Sequence, residues 1–280
     1  MTVLSENDWP DRILADANRL TDFQVWPTSE KLNAKGWLNN FGDSDKKLAS
    51  ALLQKFMYYS EALTDRMLES SFNDICNLER TRLQNAGLGP FDWKSFVDNC
   101  LITYPTGEEP NPTDSGQLFA RKCRQKLGIS QSQIVTPAQA VKRLDSGSHL
   151  GAVIFVDDFS GSGDQFVFTW YRQEPNSIGD MASFQSLYAN GVVNPVYYAT
   201  CISTDTSVKA IHDDCKPVVV RSGNNLSHRY SALDPESVIW PVALRAEGQE
   251  FIERISKNIC LLYTSPSPRD ATLSRMPSSA

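Results

Sequence analysis

The sequence predicts an α/β protein, a mainly parallel sheet flanked by helices and preceded by an N-terminal helical region. Three observations predict it. Apolar runs of strand length at 152–156, 195–202 and 217–220 are bounded by turn residues, as buried parallel strands are. Segments of helix length alternate with those runs, which is the pattern of a parallel sheet. Ahead of them, residues 43–76 carry Leu48, Leu52, Phe56, Tyr59, Leu63, Met67, Phe72 and Ile75, mostly three or four apart. That spacing gives one face of a helix, or of two helices broken near Thr64.

Taken in order, residues 1–42 hold Trp9, Trp26 and Trp37 in short helical or irregular pieces, and tryptophans in such a setting act as core anchors. Residues 83–92 form a connection with Gly and Pro, and 93–102 a short helix leading into a strand. Residues 105–113 are expected to be a surface loop. Asp114, Ser115 and Gly116 open a helix with Leu118, Phe119, Cys123 and Leu127 inward and Gly128 past its end. Thr136 and Pro137 start another, as N-cap and first helical residue, with Ala140, Val141 and Leu144 inward. Later elements are a helix at 180–188, a strand at 195–202, a short helix at 208–212 and a strand at 217–220. A loop over the site is expected at 226–230, and a helical segment from Asp234 and Pro235 toward Lys257. The expected domains are a helical region over 1–100, an α/β domain over 101–259, and a tail over 260–280.

The 280 residues are enough to bury a sizeable core. A net charge of −6 argues against a general nucleic-acid-binding surface. No apolar run approaches a membrane span. Scattered cysteines, none in a Cys-x-x-Cys pair, suit thiols in a reducing cytoplasm. His149, His212 and His228 stand apart from any Ser or Cys with triad-like context, so nucleophilic triad chemistry is not expected. The tail resembles translated read-through of a sequencing adapter, which leads us to expect a C-terminally truncated fragment with a disordered end.

The most informative stretch is GAVIFVDDFSGSGDQ, residues 151–165. Its apolar run ends in Asp157 and Asp158, and a small-residue loop, Ser160, Gly161, Ser162 and Gly163, leads toward a helix. Open α/β sheets bind ligands at the carboxyl ends of their strands. Backbone N–H groups of such a loop converge on a phosphate. Adjacent carboxylates need a different partner: sugar hydroxyls, a magnesium ion, or both. Together these describe a ribose 5-phosphate site. The stretch is neither a P-loop, which needs Lys then Ser or Thr after its second glycine, nor a dinucleotide fingerprint, whose third glycine is replaced by Phe166.

VIFVDDFSGSGDQ resembles the phosphoribosyl pyrophosphate (PRPP) motif of type I phosphoribosyltransferases, and more specifically that of the phosphoribosyltransferase-like proteins of bacterial conflict systems, PRTase-CE. The resemblance implies a phosphoribosyltransferase-like sheet and a small-molecule ligand, PRPP or a related ribose 5-phosphate compound. It implies ribose and metal contacts from Asp157 and Asp158, with Mg2+ as cofactor. It assigns phosphate contacts to Ser160, Gly161, Ser162 and Gly163, running on into Asp164 and Gln165. A separate upstream loop holds pyrophosphate in that family, and the candidate here is Ser115 and Gly116 with Arg121 as helper. The implied reaction is transfer of the phosphoribosyl group in a defence context, with a partner protein of the defence system. The alternative is a non-catalytic nucleotide-sensing or interaction module of the same fold. It is favoured by Asp164 and Gln165, where many active transferases carry Gly then Thr. No nucleophile is identified.

Overall fold

The computed structural model describes residues 9–107, 115–148 and 151–260. Most of the expected loop at 105–113, His149 and the adapter-like tail from residue 261 lie outside the described residues. Two compact units form, one from Glu61–Leu226 and one from Met1–Ser60 with Ser227–Ala280.

The central unit is α/β, as the sequence predicts. Its sheet has four parallel strands in the order β1 (Leu101–Thr103), β2 (Val153–Ser160), β5 (Val196–Thr204), β6 (Val218–Leu226). A short antiparallel pair, β3 (Glu174–Pro175) with β4 (Met181–Ala182), stands outside that sheet. It occupies part of the stretch read as a helix at 180–188, of which only α9 (Phe184–Ala189) is helical. Ser183 caps that helix and sets its start at Phe184.

Adjacent residues of a strand point to opposite faces, and the two faces of this sheet are covered differently. One face carries Val153, Phe155, Val196, Tyr198 and Val218. Against it pack α7 (Pro137–Asp145), α8 (Asp164–Tyr171), α9 and α10 (Asp205–Asp214), through residues such as Leu144, Phe166, Trp170, Phe184 and Ile211. The other face is covered by α4 (Glu61–Asn85), which lies across β5 and β6, and by α6 (Ser115–Leu127), which lies along β1 and β2. On α6 the inward residues are Phe119, Lys122 and Cys123, while Leu118 is turned outward. α5 (Trp93–Asp98) leads into β1 as expected, capped by Asp92.

The helical break expected near Thr64 falls earlier. α3 (Asp43–Lys55) ends at Phe56, and α4 begins at Glu61 and runs unbroken through 25 residues. Being continuous with the sheet unit, α4 is the helix on which the rest of that face is built. Tyr197 of β5 donates its hydroxyl to Glu79, which also accepts from Arg82 Nε and Nη2. Nearer its start α4 takes a hydrogen bond from Cys201 Sγ at Thr64 O (3.3 Å). α4 therefore runs antiparallel to β5, with its first turns at the carboxyl ends of the strands.

The other unit is helical: α1 (Trp9–Asp22), α2 (Ala34–Leu38), α3 and α11 (Arg245–Cys260). Its core holds Trp26, Leu38, Leu52, Leu53, Trp240 and Phe251; of the three tryptophans expected as anchors Trp26 is buried, Trp9 and Trp37 are partly buried and pack against the core, and Trp240 joins it without having been singled out. Asp45 of α3 and Arg254 of α11 form a two-point ion pair (2.7 and 2.9 Å). The helix expected from Asp234 starts only at Arg245, behind a 3-10 turn at Val242–Leu244.

Among the described residues no helix is long and apolar enough to cross a membrane. Cys76, Cys100, Cys123, Cys201 and Cys215 are free thiols, all but Cys76 buried.

At Gly223 of β6 the backbone of α4 lies close against the sheet: a Cβ there would lie 2.5 Å from the Cα of Met67. Glycine in a strand interior marks such close backbone approach. Gly223→Ala must push α4 off the sheet, and we expect a loss of about 1–3 kcal/mol, read as a lowered urea midpoint.

Candidate functional site

The chemistry gathers at the carboxyl end of the sheet. β2 is paired on both edges, its register with β5 running to Ser160 opposite Ser203. Buried through Val156, it changes character at Asp157 and Asp158. Alternation starts these two side chains on opposite faces of the strand, yet their carboxyl groups remain within hydrogen-bond reach of each other.

Asp157 points toward the α8 side and is 2% exposed. Its Oδ2 accepts from the Tyr198 hydroxyl (3.2 Å) and its Oδ1 from the backbone N–H of Asp158 (2.9 Å). Burial raises its pKa well above the ordinary carboxylate value, and the neighbouring Asp158 charge raises it further. Asp158 is half-buried and points toward the α4 and α6 side, near Cys201.

The loop that follows is built by the small residues. Gly161 and Ser162 are half-buried, and Ser160 is buried. Gly163 adopts φ +89°, which L side chains rarely adopt, and a Cβ there would also come within 3.1 Å of Ser207 O in α10. This left-handed turn redirects the chain into α8, whose first turn carries Asp164 and Gln165. The Asp164 N–H donates to Ser162 Oγ (3.3 Å). Across the crevice Thr204, the last residue of β5, donates its hydroxyl to Gly161 O while capping α10. At the end of β6 Asn225 donates to Asp205 Oδ1 (2.6 Å).

The upstream candidates divide. Ser115 is the first residue of α6, and Gly116 is buried against β2, where a Cβ would meet Tyr104 Cβ at 2.8 Å and Val156 O at 3.2 Å. The start of α6 thus lies one residue before the acidic pair. Arg121 is exposed on the outer side of α6 and is not brought to this cluster. Residues 105 and 106, the first two of the expected surface loop, are buried instead. Thr169 of α8 accepts from the Thr106 N–H (2.8 Å) and donates to its carbonyl (2.9 Å), and Arg172 donates to Thr106 Oγ1 and Gly107 O. One helix therefore carries the small-residue loop at its start and clamps the segment leaving β1 at its end.

Sequence reasoning missed a buried ion cluster on the α4 and α6 face. Lys122 Nζ lies 2.5 Å from Asp65 and 3.0 Å from Glu61, and Lys126 lies 2.7 Å from Asp65. The signal was present: Lys122 follows Phe119 by three and precedes Cys123, so a charge stands in the inward stripe of α6. Burial works against the Asp65 carboxylate, but hydrogen bonds from Lys122 and Lys126 outweigh it and hold its pKa below the ordinary value. Burial likewise opposes the Lys122 ammonium, and Asp65 and Glu61 overcome it, leaving its pKa raised. Burial pushes the Cys201 thiol up to about 12, with Asp158 and Asp157 adding to the effect and Lys122 opposing it. Thr204, Thr169 and Arg172 were also not singled out, because they acquire partners only from distant parts of the chain.

A cavity of about 440 Å³ lined by Asn73, Cys76, Asn77, Arg80, Phe91 and Trp93 opens beside the second half of α4, toward the amino ends of the strands. It shares no residue with the strand-end cluster.

A mainly parallel α/β sheet with an acidic pair and a glycine turn at the end of an inner strand is consistent with the phosphoribosyltransferase-like fold class. The chain belongs to the PRTase-CE family, whose model matches residues 34–267. A search of curated proteins gave no match.

Since Asp65 has a lowered pKa in the folded protein, its contribution to stability is present above about pH 4 and is lost as pH falls through the lowered value. Urea midpoints should therefore fall below about pH 4. Lys122→Met removes one partner of a buried pair but leaves Lys126 in place. We expect a cost at pH 7 of about 2–3 kcal/mol, under the 3–5 of a fully broken pair, and a smaller fall in midpoint between pH 5 and pH 3 than in wild type.

Proposed function

We propose that this phosphoribosyltransferase-like protein binds PRPP or a related ribose 5-phosphate ligand together with magnesium, and that it does so in a bacterial defence context, switching or serving a partner protein of the same system. The observation that carries the reading is the junction of β2 and α8: an acidic pair, a small-residue loop and a left-handed glycine turn opening a helix N-terminus. Backbone N–H groups at such a turn suit the 5-phosphate, with Gly161, Ser162 and Gly163 closest to it and Ser160, Asp164 and Gln165 framing it. Ser115 and Gly116, at the start of α6 beside Val156, are the candidate pyrophosphate contacts.

Magnesium fits the donor set. Among the described residues there is no group of three or more His, Cys, Asp or Glu side chains arranged to hold a metal. Mg2+ does not need one, since it is usually held by one or two carboxylates with phosphate oxygens and water. The acidic pair supplies that carboxylate character, and the ion would neutralise the pyrophosphate. If the phosphoribosyl group is transferred, pyrophosphate leaves the anomeric carbon, and these residues contribute by orienting the ribose and compensating charge. A second reading, ligand sensing without turnover, is favoured by Asp164, whose carboxylate occupies the first turn of α8 where a phosphate would approach.

Isothermal calorimetry with PRPP, with and without magnesium, tests the reading. Wild type should show magnesium-dependent binding, and Asp157→Asn/Asp158→Asn should abolish it. No heat and no ligand-induced rise in melting temperature in wild type would refute the phosphoribosyl reading. PRPP recovered intact from a bound complex, with candidate nucleobases present, would favour the sensor.

A further inference from the structure

We propose that the cavity beside the second half of α4 is a second ligand site, which takes a nucleoside monophosphate. The base lies against an aromatic wall of Phe91 and Trp93, Asn73 and Asn77 read its edge, and the phosphate meets Arg80. The inference does not depend on the phosphoribosyl reading, because this cavity shares no residue with the strand-end cluster.

Two walls of different chemistry form the cavity. One is helical: Asn73, Cys76, Asn77 and Arg80 stand at positions i, i+3, i+4 and i+7 of α4, a single stripe along its surface. The other comes from the chain just beyond that helix. Left-handed turns at Gly87 (φ +67°) and Gly89 (φ +82°) redirect the chain, and the Trp93 ring comes back to meet Phe72 of α4 in a T-shaped contact at 6.4 Å. Phe96 braces both aromatic residues of the wall, 5.7 Å from Phe91 and 6.0 Å from Trp93. The space enclosed, about 440 Å³, is that of a small-molecule site.

Each kind of side chain narrows what the cavity suits. Half-buried aromatic faces favour a flat group that can stack on them. Two exposed carboxamides one turn apart offer donors and acceptors together, the combination that reads the edge of a base. Arg80 is the one charged side chain of the lining, and its partners are neutral: Nη1 donates to Asn77 Oδ1 (3.0 Å), and the guanidinium carbon lies 5.8 Å from the centre of the Phe91 ring. Arg82, two residues on, is by contrast committed to the Glu79 carboxylate. A planar cation with no carboxylate paired to it among the described residues suits a phosphate group. Burial pushes the Cys76 thiol up to about 11 against the opposing Arg80 charge, so at pH 7 it adds no negative charge to repel an anion.

Cys76 also supplies the readout. Among the described cysteines it alone is not buried, so a ligand in the cavity shields it from a maleimide, scored at its own peptide by mass spectrometry on the full chain. AMP, GMP, CMP and UMP are the probes, at millimolar concentration, with calorimetry for affinity. At least one should slow the labelling of Cys76, while adenosine and inorganic phosphate, each lacking half of the ligand, should bind about tenfold more weakly or less. Arg80→Gln and Asn73→Ala/Asn77→Ala change exposed helix positions, so melting temperatures should stay near wild type while affinity falls about tenfold in each. Absence of protection by all four nucleotides would overturn the proposal, as would protection that survives Arg80→Gln unchanged. Adenosine binding as tightly as AMP, or inorganic phosphate protecting as well as the nucleotides, would overturn the ligand class. Nucleotide binding lost in Asp157→Asn/Asp158→Asn but intact in Arg80→Gln would place the ligand at the strand ends, which also overturns it.

Discussion

The constraint on which the rest of the structure depends is that β2 is enclosed on every side. It is hydrogen-bonded to β1 and β5 along both edges, and helices cover both of its faces. An enclosed strand must be apolar, and Val153, Ile154, Phe155 and Val156 are all fully buried. Its first polar residues therefore mark where the enclosure ends. At that point each polar group must find either a partner within the protein or something outside it. Asp157 finds the first kind, and the loop after Ser160 is open to the second.

Charge at this end of the sheet is dominated by carboxylates. Glu61, Asp65, Asp157 and Asp158 are set against Lys122 and Lys126, and both lysines are committed to Asp65. Arg121 faces outward, and Arg172 is spent on residues 106 and 107. An anionic ligand at the small-residue loop would meet backbone amides and hydroxyls. Under the phosphoribosyl reading, that balance is the physical reason for magnesium: a divalent cation reconciles phosphates with a crevice rich in carboxylates.

Much of this was legible in the sequence wherever a local rule had one outcome. The β2 run, the capping of α7 by Thr136 and Pro137, the α5 to β1 connection and the turn at Gly163 all follow from residue type and immediate neighbours. What was illegible needed tertiary information. The stretch at 180–188 divides into β4 and α9 because Met181 and Ala182 pair with β3. The helical stripe over 43–76 does not reveal that its break lies at 56–60, since Tyr59 and Leu63 continue the spacing through the gap. The candidate site was legible as a motif, but its inner organisation was not. Whether Asp157 faces solvent or core depends on which helices cover which face, and Tyr198 becomes its partner only through the parallel pairing of β2 with β5.

Asp164 is the residue at which fold and function pull in different directions. As the first residue of α8 it interacts favourably with the partial positive charge of the helix N-terminus, worth about 0.3–1 kcal/mol to the fold. That same partial charge is what would attract a phosphate, so a carboxylate already in place weakens the attraction and adds repulsion. Under the phosphoribosyl reading, such a loop would release its ligand readily unless a cation bridged the two, and it would favour magnesium-bound over free phosphate compounds. For a transferase, which must hold the phosphoribosyl group through the loss of pyrophosphate and its magnesium, such dependence is a handicap. For a sensor it is an advantage, because occupancy then tracks the magnesium complex of an intact pyrophosphate and ends when that group is gone.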